Sequence, residues 1–279
     1  MAILLKEHLK TFEQYLYECE KSTNTIEKYL RDVNAFFLFL GPEQEVGKET
    51  VLRYKQFLAQ RYKTTSANSM LAALNCFLSF EGLHQLRVRQ FKVQRRIFRD
   101  TDRELNKAEY IRLVKAAKLQ GNSRLYMLMQ TVCATGIRVS ELQYITVDAV
   151  KEKRARVVCK GKERIILLPD NLCRSLSQYC RHSGIKSGSI FVTRSGKPLH
   201  RTNIWFYMKE LCKTAQVDPR KVFPHNFRHL FARLYYQLQK DIVRLADILG
   251  HSSIETTRIY TICSGQEQQQ SLGHMGLVL

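Results

Sequence analysis

Apolar residues recur at steps of three and four along the first hundred residues, a spacing typical of amphipathic helices. Two such stripes are Leu5, Leu9, Phe12, Leu16 and Cys19, followed by Ile26, Leu30, Val33, Phe37 and Leu40. The hydroxyl-rich residues 22–25 offer caps for the second helix, and Gly41-Pro42 ends it. Residues 50–61 and 66–80 continue as a third and a fourth helix. The pattern predicts a small helical domain over residues 1–86.

The chain beyond residue 103 mixes helical and strand patterns. Residues 109–118 and 124–133 are helical in pattern, and helices resume from about 202 to 261. Two runs rich in β-branched residues, 156–160 and 164–168, flank Gly161 and Lys162 and predict a hairpin. Residues 190–193 are a candidate third strand. We therefore expect a mainly α protein: a mixed α+β domain with a short antiparallel sheet over 104–263, joined to the first domain by a linker, 87–103, and followed by a polar tail, 264–279.

Composition excludes several classes of protein. Hydrophobic residues make up 44% of the 279, which is enough for globular cores. No apolar run approaches the length of a membrane span, and the apolar start, residues 2–5, is too short for a signal peptide. The eight cysteines form no C-x-x-C pair, so neither a zinc site nor a compact disulfide framework fits. These features predict a cytoplasmic protein with reduced thiols and no metal or other cofactor.

The net charge of +20 points to a polyanionic partner. Residues 51–100 carry ten basic and two acidic groups, and residues 151–200 carry twelve and three, so the excess lies in two blocks. The densest run has no acidic residue between 83 and 99, and its cations are Arg87, Arg89, Lys92, Arg95, Arg96 and Arg99. A solvated linker is one interpretation. The interspersed apolar residues favour the other, a linker that lies against DNA phosphates.

Six residues in the second domain form a set with a common chemistry: Arg138, Lys160, His225, Arg228, His251 and Tyr260. The arginines carry permanent charge on planar forks that suit phosphate oxygens. His225 and Arg228 share a helix face, with Pro224 suited to the first turn of that helix. A lysine on a tight turn and two histidines supply acid and base groups. A tyrosine nucleophile among them supports phosphoryl transfer without a metal ion.

The order of five segments resembles the tyrosine recombinase (phage integrase) family. They are 134–142 (ATGIRVSEL), 159–164 (CKGKER), 224–229 (PHNFRH), 249–252 (LGHS) and 257–261 (TRIYT). The N-terminal helices look like the family's SAM-like core-binding domain. The resemblance implies that Arg138 and Arg228 hold the non-bridging oxygens. It also implies that Lys160 protonates the leaving 5′ oxygen, His225 accepts the tyrosine proton and His251 binds the phosphate. Glu141 would orient Arg138, and Tyr260 would form a 3′-phosphotyrosyl bond.

Some assignments stay open at this point. Lys162 also lies at the hairpin tip, so either lysine is a candidate acid, and Lys160 is favoured because it precedes the turn glycine as the family's lysine does. Lys162 and Arg164 are otherwise expected to contact DNA. His229 neighbours Arg228 but is expected to point elsewhere on the helix, so it is interpreted as structural.

The resemblance further implies a homotetramer on two DNA duplexes with specific core sites, exchanging strands through a Holliday junction. Integration or excision of a mobile element, inversion and resolution are all compatible with it. The tail, 264–279, is a candidate for docking on a neighbouring protomer or a frayed end. Two rival functions are a type IB topoisomerase and a non-catalytic DNA-binding regulator. The separate N-terminal domain and compact size disfavour the first, and the intact set of six residues disfavours the second.

Overall fold

The protein is described by a computed structural model that covers residues 2–4, 6–41, 45–93, 101–159, 162–193, 195–262, 269, 273 and 274. Contacts divide the chain into two compact units, Met1–Arg95 and Arg96–Leu279. Lys160, Arg95, Arg96 and Arg99, four of the residues singled out above, lie outside the described residues, as does nearly all of the tail. The backbone of Lys162 is described, but its side chain is not.

The first unit is a helical domain. Its elements are β1 (Ala2–Ile3), α1 (His8–Glu18), α2 (Thr23–Leu40), β2 (Glu45–Val46), α3 (Lys48–Arg61), α4 (Thr64–Phe80) and a 3₁₀ turn (His84–Leu86). The two short strands pair antiparallel, with Ala2 opposite Val46. Aromatic rings fill the core between the helices, where Phe12 meets Phe77 edge-on at 5.1 Å between ring centroids.

The predicted stripes form this core, with two local differences. Phe12, Leu16 and Val33 are fully buried, but Cys19 is exposed because α1 ends at Glu18 and Cys19 already belongs to the cap. Ser22 occupies the N-cap position of α2, yet its hydroxyl bonds the Thr25 hydroxyl at 2.8 Å instead of a backbone N–H.

The second unit is built from helices around one hairpin. Its elements are α5 (Lys107–Leu119), α6 (Ser123–Thr135), a 3₁₀ turn (Val139–Tyr144), α7 (Val147–Lys151), β3 (Arg154–Cys159), β4 (Lys162–Leu167), α8 (Asp170–His182), α9 (Arg201–Ala215), α10 (Pro224–Gln239), α11 (Ile242–Leu249), α12 (Ile254–Thr257) and a 3₁₀ turn (Arg258–Tyr260). The strands pair antiparallel from Arg154 opposite Leu167 to Cys159 opposite Lys162. The predicted fold class, mainly α with a short antiparallel sheet, is confirmed.

The prediction of a third strand at residues 190–193 is wrong. Within the described residues the segment makes only isolated bridges, Ser189 with Thr146 and Val192 with Pro198. Ile190 and Phe191 are each 1% exposed, since they anchor the segment in the helical core. The Ile190 N–H donates to the carbonyl of Ile145 at 2.9 Å, so the segment pairs with the loop before α7 and not with the hairpin.

No helix among the described residues has the length and apolar character required to cross a membrane.

Candidate active site

The turn after α6 presents Arg138 and buries Glu141. Helix α6 ends at Thr135 and is capped by Gly136, whose φ of +64° favours glycine; a Cβ there would lie 2.4 Å from the Phe231 ring. The Glu141 carboxylate accepts hydrogen bonds from the Arg138 backbone N–H at 2.9 Å and from its guanidinium at 2.8 Å. Burial acts to raise the pKa of Glu141, but these bonds and the charge of Arg164 lower it below its ordinary value. Glu141 is therefore ionised and fixes the orientation of Arg138.

Arg228 is the most deeply placed cation of the site, with 2% of its surface exposed. It lies in α10, which begins with Pro224 at its first turn as predicted. Its guanidinium donates to the carbonyl of Gly136 and, at 2.6 Å, to the carbonyl of Leu249. Burial, followed by the charge of Arg138, lowers its pKa to about 10. Arg228 thus keeps its charge at neutral pH and joins the end of α6 to the end of α11.

The end of α11 holds both arginines. Arg138 donates to the carbonyl of Gly250 at 3.0 Å, next to the Leu249 carbonyl that Arg228 holds. Gly250 has φ +62°, and a Cβ there would lie 2.6 Å from Cδ of Arg164. Two features therefore favour glycine here: the left-handed backbone and the close approach of the Arg164 side chain.

Hydrogen bonds fix the tautomer of His251, the next residue. An arginine is only a donor, so Nε2 of His251 accepts the 3.1 Å bond from Arg228. Its Nδ1 then carries the hydrogen and donates to the buried hydroxyl of Thr257 at 2.8 Å. Burial, followed by the charges of Arg228 and Arg138, lowers the pKa of His251 to about 4. The imidazole is neutral at neutral pH.

Tyr260 lies in its own chain's core, with 6% of its surface exposed. Ser253 caps α12, its hydroxyl accepting a hydrogen bond from the Glu255 N–H at 3.2 Å. The short helix and the following turn bring the Tyr260 ring nearly parallel to His251, with 6.4 Å between centroids. Burial raises the pKa of Tyr260, while the charge of Arg228 and a hydrogen bond from it act in the opposite direction. The phenol is therefore protonated and needs a base to react.

His229 stands between the two groups that would exchange this proton. Its ring meets His225 at 4.2 Å and Tyr260 at 5.1 Å, edge-on in both cases. Among the described residues its Nε2 atom is buried with no hydrogen-bond partner. His229 was expected to be a structural residue because it follows Arg228 directly and so points elsewhere on the helix. The spacing that reveals its position is the one to His225, four residues earlier on the same helix face.

The buried state of His229 predicts a loss of stability in acid. Burial, followed by the charge of His225, lowers its pKa to about 3, whereas its ordinary pKa is 6.5. The unfolded chain therefore binds a proton below pH 6.5 that the folded chain refuses, and stability falls as the pH falls. Between pH 6.5 and about pH 5 the unfolding free energy of the wild-type chain should fall further than that of His229→Phe. We expect the two falls to differ by up to about 2 kcal/mol. Urea unfolding across this range measures it. His182→Gln, at an exposed position on α8, is the control, and equal pH slopes in all three proteins would contradict the prediction.

A cleft of about 950 Å³ opens beside the two arginines and His225. Its lining includes Arg138, His225 and Arg228 together with residues 198–202 and Trp205. Burial, followed by the charges of Arg228 and Arg138, lowers the pKa of His225 below its ordinary value, so this imidazole is available as a base at neutral pH. The arrangement can bind a phosphate diester between two guanidinium groups beside a base and a phenol.

The hairpin residues are placed in part. Arg164 was expected to contact DNA, but its side chain is only 15% exposed and donates to Glu141 and, at 2.6 Å, to the carbonyl of Ile248. It therefore joins β4 to the turn of Arg138 and to the end of α11. On the other strand the Tyr144 hydroxyl donates to the carbonyl of Val158 at 2.8 Å. These contacts fasten the two strands of the hairpin to the turn of Arg138 and to the end of α11.

Three more of the cations expected to bind DNA are described with their side chains, and they belong to the first unit. Arg87, Arg89 and Lys92 are all exposed after the last helix of that unit. Among the described residues none of the three forms an ion pair, so each charge is open to solvent.

Comparison with known proteins identifies the family. The model of the phage integrase family matches residues 103–267, and that of the phage integrase N-terminal SAM-like domain matches residues 9–82. Tyrosine recombinase XerA of Pyrococcus furiosus is 29% identical, over 99% of this chain and 96% of its own length. Tyrosine recombinase XerD of Halalkalibacterium halodurans is 31% identical, over 86% and 87%.

Solved structures agree in fold. A crystal structure of XerA recombinase, 27% identical, aligns with a TM-score of 0.53 over 98% of this chain and 99% of its own. A lambda integrase dimer bound to a COC′ core site, 20% identical, aligns with a TM-score of 0.72 over 92% and 94%. A lambda integrase tetramer bound to a Holliday junction aligns with a TM-score of 0.72 over 91% and 76%. With more than half of its length matched by the family model, this chain belongs to the phage integrase family of tyrosine recombinases.

Proposed function

We propose that this chain is a site-specific DNA recombinase that cleaves and rejoins DNA through a 3′-phosphotyrosyl intermediate. One observation carries the proposal: Arg138, Arg228 and His225 line a single cleft, and Arg228 also donates to His251, whose ring lies against that of the buried Tyr260. Fixed cations at a developing phosphate charge and a base beside a phenol are what transesterification at phosphorus requires. Membership of the family supports the same reaction.

Each group has a role in the proposed reaction. Arg138 and Arg228 stabilise the non-bridging oxygens, and Glu141 holds Arg138 in place. Neutral His225 accepts the Tyr260 proton, directly or through the adjoining His229. The phenolate oxygen then bonds to phosphorus as the bond to the 5′ oxygen breaks.

Two further steps complete the reaction. Lys160 protonates the departing 5′ oxygen. His251, whose single N–H is donated to Thr257, acts on the phosphate through Arg228 by accepting a hydrogen bond from its guanidinium. A 5′ hydroxyl from another strand attacks the phosphotyrosyl bond in the reverse sense, which needs no external energy source.

The assembly is part of the proposal. Relatives of the same fold were crystallised on DNA core sites and as a tetramer on a Holliday junction. We therefore expect four protomers of this chain on two duplexes with specific core sites. The enzyme would act in the cytoplasm, and the proposal covers integration or excision of a mobile element, inversion and resolution of dimers.

Covalent trapping tests the function. A pool of DNA fragments, each nicked so that the cleaved strand loses a short 5′-hydroxyl piece, would be incubated with the wild-type chain in excess chelator. We expect a protein–DNA species that resists denaturation, because the arginines supply the charge that a metal ion supplies elsewhere. Sequencing the trapped fragments identifies the core site. If no fragment is trapped, or only after magnesium is added, the proposed mechanism is wrong.

A DNA substrate with sulfur in place of the scissile 5′ oxygen distinguishes the role of Lys160 from that of Lys162. A general acid matters only when the leaving oxygen departs poorly. In a 5′-phosphorothiolate substrate the leaving group is a 5′ thiolate, which departs without protonation. We expect Lys160→Ala to cleave ordinary DNA slowly and the sulfur substrate almost normally. Lys162→Ala, the matched control one residue beyond the turn glycine, should show no rescue. Rescue of Lys162→Ala alone would exchange the two roles.

A further inference from the structure

Two asparagines of α4 hold the basic segment that follows the helical domain. Asn75 pairs with both backbone groups of Val88: its amide donates to the carbonyl at 2.8 Å and its oxygen accepts from the N–H at 2.9 Å. Asn68 does the same with Phe91, at 2.9 and 2.7 Å. Each side chain thus replaces the partner that a neighbouring β-strand would provide.

The spacing of these pairs keeps the segment extended. Asn75 is seven positions after Asn68 on α4, which corresponds to about 10.5 Å along the helix axis. Phe91 is three positions after Val88, and an extended or polyproline-like chain covers about 9–10 Å over three positions. Because the two lengths match, both pairs form at once. The backbone of Arg87, with φ −56° and ψ 141°, has the polyproline-like form.

Other contacts complete the attachment. Lys48, at the start of α3, donates to the carbonyls of Gln85, at 3.1 Å, and Arg87. The Val88 side chain is 6% exposed in the core of the unit, and the Phe91 ring packs against that core with the Lys55 ammonium 4.8 Å from its centroid. The segment is therefore not a free linker up to this point.

The same attachment turns charge outward. Arg87, Arg89 and Lys92 are exposed, and a shallow groove lined by His84, Arg87 and Arg89 runs beside them. Lysine and arginine placed along a phosphate backbone release its counterions, which is the main source of affinity for nucleic acid. Holding such cations in place beforehand removes the cost of ordering the chain on binding.

We propose that Asn68 and Asn75 preorganise residues 87–92, the basic strip, so that its cations meet the phosphates of duplex DNA without further ordering of the chain. The choice of DNA as the polyanion rests on the proposed function. The role of the two asparagines rests on the hydrogen bonds and spacing described above. Binding to a duplex of mixed sequence needs no cleavage, so this proposal and the recombinase reaction are tested by separate measurements.

The charge arm of the experiment measures the salt dependence of binding. The full-length chain would be titrated with a duplex of about 30 base pairs of mixed sequence between about 50 and 200 mM salt. Removing Arg87, Arg89 and Lys92 together by alanine substitution should lower the slope of log K against log salt by about 0.9 for each phosphate that the variant no longer neutralises. Lys10→Ala, at an exposed position on α1, is the control. A triple variant with the wild-type slope would overturn the binding surface.

The asparagine arm measures preorganisation. Asn68→Ala with Asn75→Ala should weaken binding about tenfold at every salt concentration with the slope unchanged, since the cations still reach the phosphates after the chain is ordered. Asn24→Ala, at an exposed position on α2, is the control. Wild-type affinity in the double variant, or a changed slope, would overturn the role of the asparagines.

Limited proteolysis tests, in the absence of DNA, whether the basic strip is held against the helical domain. Trypsin cuts after each cation of the strip, and mass spectrometry locates the cuts. We expect the wild-type chain to resist cleavage after Arg87 and Arg89 and the double asparagine variant to be cut there rapidly. Thermal melting shows whether the variant is folded. If it is not, the single variants replace it, each expected to weaken binding about threefold with the slope unchanged, and wild-type affinity in both would refute the proposal.

Discussion

Tyr260→Phe is expected to abolish covalent trapping on the nicked substrate while DNA binding persists. The substitution removes only the phenolic oxygen, and the ring keeps its packing against His229 and the buried residues Leu245 and Leu249. Without that oxygen no phosphotyrosyl bond can form, so the yield should fall to background. Denaturing gels of the trapping reaction measure the yield, and a mobility shift on native gels measures binding.

Tyr236→Phe is the matched control for the nucleophile. Tyr236 packs against the same buried cluster as Tyr260, so its substitution reports any general effect of losing a hydroxyl there. It should trap DNA as the wild-type chain does. Covalent complex from Tyr260→Phe at wild-type yield would exclude Tyr260 as the nucleophile.

Local features of the fold were predictable because their causes lie within a few residues. The stripe around Phe12 and Leu16 marks the buried face of α1, and Pro224 marks the first turn of α10. Gly161 and the β-branched runs beside it mark the hairpin. In each case propensity and periodicity agree with the tertiary environment, so local reasoning and the structure coincide.

Long-range partners were not predictable. Nothing near Arg164 in the sequence indicates that Glu141 and the carbonyl of Ile248 surround it, and its charge alone favoured a DNA contact. The asparagines that hold the basic strip show the same limit, since Asn68 and Phe91 are 23 residues apart. Burial of a charged or polar group depends on which elements meet, and a single sequence does not record that.

Replacing either arginine of the cleft by lysine is expected to lower the cleavage rate by about 10²–10³, the effect of losing one positioned donor at a developing charge. A lysine has a single ammonium group, whereas Arg228 already uses its fork on the carbonyls of Gly136 and Leu249 and on His251. Binding should change little. Single-turnover cleavage of the trapped core site measures the rate. Arg244→Lys, at an exposed position on α11, is the control and should cleave normally.

Alanine variants separate structural from catalytic loss, because the two arginines differ in exposure. Arg228→Ala leaves two buried carbonyls without donors, at a cost of roughly 1–3 kcal/mol of unfolding free energy each. The Arg138 side chain is 38% exposed, and Glu141 keeps its ion pair with Arg164 when Arg138 is removed, so no buried charge is left unpaired. Arg138→Ala should therefore melt near the wild-type temperature and still cleave about 10²–10³ more slowly. A folded Arg138→Ala that cleaves at the wild-type rate would remove Arg138 from the phosphate site and leave Arg228 as the cation that the reaction depends on.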